Sequence, residues 1–331
     1  MAIASAATTA IANLAGKTMA QQSESVIYGF NLGSIGNTVL SSTTNAISDK
    51  ADLINLSNST GEMIVTALNP LSAKVNSTVK LVSKTVENQS IRVEIDQKAV
   101  SAPRNRLTSV TPVSKGGFII CCVVSSRQGD INRLSFVESQ SSSPKSLSMG
   151  IKRGLKISGF TTKNSTVENL LLTKENQLIS VISHYGGLPP FEIVLIDLKT
   201  GRIRPGAELS LPDLPSDQRL SNLTQAPNGK FYATILDRDN STTLVQLDPQ
   251  KKSILTGRLL ITKVMPLNYN NEPLVNDLLS LTFSPSGQLF ALANPKNEKN
   301  NSIFKIDIND VKTGKMQLIG GVSVNKICFA R

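Results

Sequence analysis

The sequence predicts an all-β chain folded as a β-propeller of six blades, and three observations carry that prediction. One is a recurring phrase, clearest as Leu281-Thr282-Phe283-Ser284-Pro285-Ser286-Gly287-Gln288-Leu289-Phe290-Ala291, followed by Ile303-Phe304-Lys305-Ile306-Asp307 and Thr313-Gly314-Lys315. It reads as four strands with tight turns, and it returns about every 50–60 residues, as blades do. The second is the shape of the apolar runs, which are short, β-rich and bounded by Pro, Asn, Ser and Gly, with no long helical period. The third is the pair of chain ends. Val324–Phe329 looks like an orphan first strand, while Val26–Leu32 and Asn37–Leu40 look like the third and fourth strands of the same blade. One blade assembled from both ends would close the ring and leave no open sheet edge.

Aligning the turn between first and second strands sets out five further units. The first has Asp52–Leu56, a turn at Asn58–Gly61 and Met63–Val65, with outer strands at Val79–Val82 and Ile91–Ile95. The second pairs Leu107–Val110 with Phe118–Val124 across Lys115–Gly117, and carries the low-complexity stretch Ser139–Ser146 on its far side. The third has Glu168–Leu172, Leu178–Ile182, Ile193–Asp197 and Thr200-Gly201. The fourth has Ser221–Thr224, the turn Ala226–Gly229, Phe231–Ile235 and Thr243–Pro249. The fifth is the phrase above. Gly in the Pro-Asn-Gly and Pro-Ser-Gly turns supplies the positive φ a tight hairpin needs. Asp197, Asp248 and Asp307 close third strands, where a carboxylate can cap the next turn. The count is six blades, or seven if stretches 72–104 or 139–166 hold further strands.

Composition sets bounds on this fold. With 40% hydrophobic and 18% charged residues in 331, the chain can build a sizeable core. Aromatics are 4% and Trp is absent, so Leu, Ile and Val must fill that core and the Trp-Asp repeat motif is missing. Cys121, Cys122 and Cys328 are an odd set containing an adjacent pair, which is no disulfide framework. They read as small buried hydrophobes, the two neighbours facing opposite sides of a strand. Residues 1–21 are an N-terminal extension or the remnant of a signal-like segment, leaving 22–331 as one propeller domain. Thr18-Met19-Ala20 resembles a small-residue cleavage site, although the positively charged start of a secretory signal is missing. The localisation reading leans to the periplasm or outside the cell over the cytoplasm. No run approaches a membrane span, and a monomer is expected.

The formal charge of +11 is concentrated. Between Lys98 and Lys163 there are 11 Lys and Arg against only Asp130 and Glu138. Arg104, Arg106, Lys152, Arg153 and Lys156 form the basic patch, which could meet an anionic surface but lacks the interleaved aromatics that stack on bases. His184 is the single histidine, in a Gly-Gly/Pro-Pro loop between the second and third strands of the third blade. A nucleophile–histidine dyad would need it, and its setting reads as a turn. A zinc cluster and a phosphate-binding Gly-rich loop are both missing.

Position gives better site candidates. First strands line a propeller's channel, and counting back seven residues from each aligned turn gives Ser109, Asn169, Asn222 and Ser280, with Lys326 in the matching place of the last strand. Polar residues in otherwise apolar strands could line an axial pocket for a small ligand. The repeats resemble the bacterial propeller superfamily with NHL, YVTN-type and gluconolactonase-like sheets over residues 22–331. The motifs carrying that resemblance are Ser/Pro-x-Gly-x-Leu-aromatic-Ala, then Ile-Asp, then Thr-Gly. Lactonases of that group hold a divalent cation at the axis, and the resemblance implies Glu168, Asn222 and Asp277 as candidate ligands, with Ca²⁺ as the cation. The leading expectation is a non-enzymatic scaffold that binds a protein or small ligand without a cofactor. The alternative is a metal-dependent lactonase-like hydrolase using the axial pocket.

Overall fold

The computed structural model describes residues 26–32, 63–81, 104–113, 116–126, 129–139, 149–184, 187–204, 209–210, 217–252, 259–295 and 300–330. These are all-β, and they contain no helix at all, so none long and apolar enough to cross a membrane. The strands in chain order are β1 (Ile27–Leu32), β2 (Met63–Leu68), β3 (Val75–Leu81), β4 (Arg104–Val113), β5 (Gly117–Ser126), β6 (Gly129–Ser139) and β7 (Met149–Lys156). They continue as β8 (Thr166–Leu172), β9 (Leu178–Ser183), β10 (Phe191–Ile196), β11 (Leu209–Ser210), β12 (Arg219–Gln225), β13 (Phe231–Leu236), β14 (Thr242–Lys252) and β15 (Leu259–Pro266). After the two-residue ribbon β16 (Asn268–Tyr269) and β17 (Glu272–Pro273) come β18 (Ser280–Phe283), β19 (Leu289–Ala293), β20 (Asn301–Ile306), β21 (Met316–Val322) and β22 (Lys326–Phe329).

These strands form five four-stranded antiparallel sheets. Blade I is β22-β1-β2-β3, blade II β4 to β7, blade III β8 to β11, blade IV β12 to β15 and blade V β18 to β21. The innermost strands β22, β4, β8, β12 and β18 touch in that cyclic order, so the blades surround one axis. Closure by the two chain ends is as expected, since β22 pairs with β1 from Ile27↔Phe329 to Phe30↔Lys326. The strand assignment within that blade differs. β1, expected as a third strand, is its second, and Met63–Leu68 and Val75–Leu81, which cover the second strand and part of an outer strand expected of a separate blade, complete this sheet as third and fourth strands. Two predicted blades thus become one, and the sixth blade does not appear among the described residues. Apolar alternation marks a strand but not its neighbour, which is why spacing alone placed these segments wrongly. The predicted strands at 37–40, 52–56 and 91–95, and residues 1–21, lie outside the described residues.

The core lies between blades. Five apolar clusters fill the five interfaces, as when Phe30, Val65, Phe118, Ile120 and Cys122 join blades I and II. Ile27, Phe290, Leu292, Ile327 and Phe329 join blades V and I. Burying each such side chain is worth roughly 1.5–3 kcal/mol, so closure of the ring rests on the same packing as every other interface. The cysteines behave as small hydrophobes. Cys121 faces the II–III interface and Cys122 the I–II interface, all three are buried and none forms a disulfide, and burial pushes both the Cys121 and Cys122 thiols up to about 12.

At the hub, neighbouring inner strands splay too far apart to form a ladder, yet their edge amides still need partners. Side-chain oxygens supply them. Leu170 N donates to Ser109 Oγ at 2.8 Å and Leu172 N to Thr111 Oγ1 at 2.8 Å, tying blade III to blade II. Ser280 Oγ donates to Ile327 O at 2.9 Å, tying blade V to blade I. The Thr-Gly turns work at the periphery. Gly201 (φ +71°) and Gly314 (φ +56°) bring their turns against the preceding blade, where their carbonyls accept from Ser158 N and Asn268 N. A Cβ at Gly201 would lie 2.6 Å from Lys156 O, and one at Gly314 1.8 Å from Pro266 O. Asp197 and Asp307 cap turns as expected. Asp197 Oδ1 accepts from Lys199 N and Thr200 N, each at 2.9 Å, and these backbone bonds, with Arg204 beside it, hold its carboxyl down at about 2. Asp248 instead lies inside β14.

Candidate functional site

A cavity of about 140 Å³ opens on the axis where the inner strands begin. Each blade delivers one ionisable side chain to it. Arg106 comes from β4, Glu168 from β8, Arg219 from β12, Asp277 from the segment entering β18, and Lys326 from β22. Around the ring the signs alternate from Arg106 to Lys326. Because the ring has five members, alternation fails once, and Lys326 and Arg106 become neighbours with no carboxylate between them among the described residues. Among the described residues, three cations against two carboxylates leave the cavity with one excess positive charge.

Local irregularities aim several of these side chains. The β4–β5 register shifts between Leu107 and Ser109, the β8–β9 register between Val167 and Asn169, and the β12–β13 register between Ser221 and Thr224. A bulge inserts an unpaired residue and re-aims it. The inserted residues include Thr108, Glu168 and Asn222, and all three line the cavity. Asn222 takes a left-handed backbone (φ +56°), which Asn adopts more readily than most residues.

Of the five positions drawn from the turn count, Asn222 and Lys326 line the cavity, while Ser109, Asn169 and Ser280 do not. Ser109 and Ser280 are occupied as the interblade links described above. Asn169 is half-buried on β8, its Oδ1 buried without a hydrogen-bond partner. In blade V, where β18 has no register shift, the cavity is lined instead by Asp277 and Leu278 from the segment before the strand, and in β4 and β8 the cause is a bulge. These bulges shift the count by one, so the neighbours Thr108 and Glu168 face the cavity instead. Arg219 escaped attention because it opens its strand in a stretch without aligned apolar residues.

Asp277 is held by a set of hydrogen bonds. Its Oδ2 accepts from Ser221 Oγ at 2.5 Å, and its Oδ1 from Leu278 N at 2.8 Å and from Asn222 Nδ2 and Thr234 Oγ1 at 3.2 Å each. Burial pushes its pKa up against these bonds. Glu168 Oε1 accepts from Ser183 Oγ at 2.6 Å and lies 3.8 Å from Arg106 Nη2. Lys326 Nζ donates to Leu279 O, and desolvation brings its ammonium down to about 8, with Arg106 acting in the same direction and Asp277 and Glu168 against it.

The candidate cation set of Glu168, Asn222 and Asp277 lines this cavity, where its polar atoms are engaged with neighbouring groups. Both Asp277 oxygens carry hydrogen bonds, Asn222 presents its amide NH₂ to Asp277, and three cationic side chains share the space. No group of three or more His, Cys, Asp and Glu with metal-site geometry occurs among the described residues.

The basic patch divides. Arg106 faces the axis, while Lys152, Arg153 and Lys156 lie on β7 at the rim of blade II; Arg104 opens β4. Lys152 pairs with Glu138 at 2.6 Å, and Arg153 lies 4.0 Å over the Phe136 ring while donating to Leu198 O at 2.7 Å. His184 sits in the predicted hairpin but is buried. Its Nε2 is 3.1 Å from Glu192 Oε1 and its Nδ1 3.1 Å from Thr161 Oγ1, which ties the blade II–III crossover to the β9–β10 hairpin.

No known protein family matches the sequence, and neither does any curated protein. Among solved structures the chain is similar to a bifunctional GH43-CE protein of Bacteroides eggerthii, at 12% identity and TM-score 0.40, over 82% of this chain and 34% of that one. It is also similar to a protein of unknown function from Bacteroides caccae (9%, 0.38, over 93% and 99%). A third is the PQQ-bound aldose sugar dehydrogenase of Streptomyces coelicolor (10%, 0.40, over 78% of each chain). The chain spans about a third of the length of the first of these. The propeller fold rests on the sheet order and the closed ring of inner strands, not on these likenesses.

Proposed function

We propose that this protein is a non-enzymatic binding propeller whose axial cavity is its ligand site. The observation that carries the reading is the convergence of one ionisable side chain from each of the five blades on a single cavity. Unpaired charge near a hub is costly unless something uses it. Commitment of both Asp277 oxygens to internal hydrogen bonds, and the surplus of cations, argue against a lactonase-like metal centre. The rim residues Lys152 and Arg153 are already engaged, Lys152 with Glu138 and Arg153 with the Phe136 ring and the Leu198 carbonyl of blade III, which favours the axis over the outer face as the contact surface.

Melting in excess Ca²⁺ against excess chelator, beside a panel of small acids and polyols, tests this reading. A ligand that binds only the folded state raises the melting temperature in proportion to its saturation. The expected result is no response to Ca²⁺ or chelator and a concentration-dependent rise with a small organic ligand. A Ca²⁺-dependent rise lost in Asp277→Asn would overturn it in favour of the hydrolase.

A further inference from the structure

Resting on that axial reading, we propose that the ligand is a small monocarboxylate, bound between Arg106 and Lys326 where the alternating ring of charges breaks. Four of the five ionisable neighbours around the axis can balance in opposite-sign pairs. The fifth cannot, and the unbalanced charge falls between β22 and β4. Among the described residues no carboxylate lies within ion-pair distance of Lys326, whose amine donates to the Leu279 carbonyl and has two further protons to give. Arg106 is held at only 3.8 Å from Glu168 and offers a planar fork that matches a carboxylate.

Charge selects the class of anion. One excess positive charge is neutralised by a monoanion, whereas a phosphate dianion would leave the cavity negative beside Glu168 and Asp277. Size agrees, since about 140 Å³ accepts an acid of a few carbon atoms and leaves no room for a polymer. Glu168 stands next to Arg106 in the ring as an acceptor, so a hydroxyl on the acid would find a partner. The ammonium must be protonated to bind. Burial, with Arg106, brings its pKa down to about 8 against Asp277 and Glu168, and Arg219 lines the same cavity. Affinity therefore falls as pH rises through about 8.

The test is calorimetric titration of the whole chain with lactate, its neutral isostere lactamide, and inorganic phosphate, at pH 7 and pH 9.5. Lactate should bind, lactamide should not, and binding should weaken at the higher pH. Lys326→Met and Arg106→Gln should each weaken lactate by about ten- to a hundredfold, the worth of a hydrogen bond to a charged group. The exposed control Lys312→Gln should bind as the parent does. Arg106 is partly exposed, so its variant tests the idea even if Lys326→Met fails to fold. Binding of phosphate in preference to lactate, or of lactamide as tightly as lactate, would overturn the inference while leaving the axial site standing. No response to any acid or polyol would overturn both.

Discussion

Ser109 shows how a single hydroxyl can hold a propeller together. It was singled out from the sequence as a channel-facing polar residue, yet its oxygen accepts the Leu170 amide across the gap between blades, in a site where it is 2% exposed. Removing it leaves a buried N–H without a partner. Ser109→Ala is therefore expected to cost about 1–3 kcal/mol, read from the midpoint of a denaturant titration. A change below about 0.5 kcal/mol, the usual range for a surface substitution, would mean that water replaces the hydroxyl. Asn222 illustrates the opposite case, a polar residue of the turn count that the structure places in the cavity lining, on a left-handed backbone.

Strands and turns were the most legible level, because alternation and Gly-containing turns are local properties. The phrase Leu281 to Ala291 becomes β18, its turn and β19 with the register Leu281↔Ala291. What the phrase could not convey is why its Thr-Gly turn recurs. In blades III and V that glycine lies against the outer strand of the preceding blade, so the motif records an interblade contact as well as a turn. Gly314→Ala should destabilise by more than the 1 kcal/mol or so expected of an ordinary glycine replacement, since its Cβ would lie 1.8 Å from the Pro266 carbonyl. Thermal melting beside Gly229→Ala measures the difference. Gly229 has a similar positive φ (+88°) with nothing near its Cβ, so it reports backbone strain without the clash.

At the scale of the whole molecule, the ring depends on four residues of its last strand. β22 pairs with β1, packs Ile327 and Phe329 against blade V and Cys328 against blade II, and carries Lys326 to the cavity. Ending the chain before Lys326 should expose both apolar faces and the edge of β1, an invitation to association. The expected outcome is loss of the single cooperative melting transition and a shift to large species in size-exclusion chromatography. A truncated protein that melts as sharply as the parent and stays monodisperse would show that closure is not required.

The sequence by itself determined the all-β class, the propeller repeat, the turn chemistry, the buried cysteines and closure by the two chain ends. Each is written in local patterning or in the polarity of short runs. Tertiary structure decided the rest. Which blade received Met63–Leu68 and Val75–Leu81 depended on strand neighbours, which periodicity does not encode. Which of two adjacent residues faced the axis depended on bulges in β4, β8 and β12, each of which moves a side chain from one face to the other. The uneven ring of charge from Arg106 to Lys326 exists only because residues more than 200 positions apart become neighbours when an odd number of blades closes.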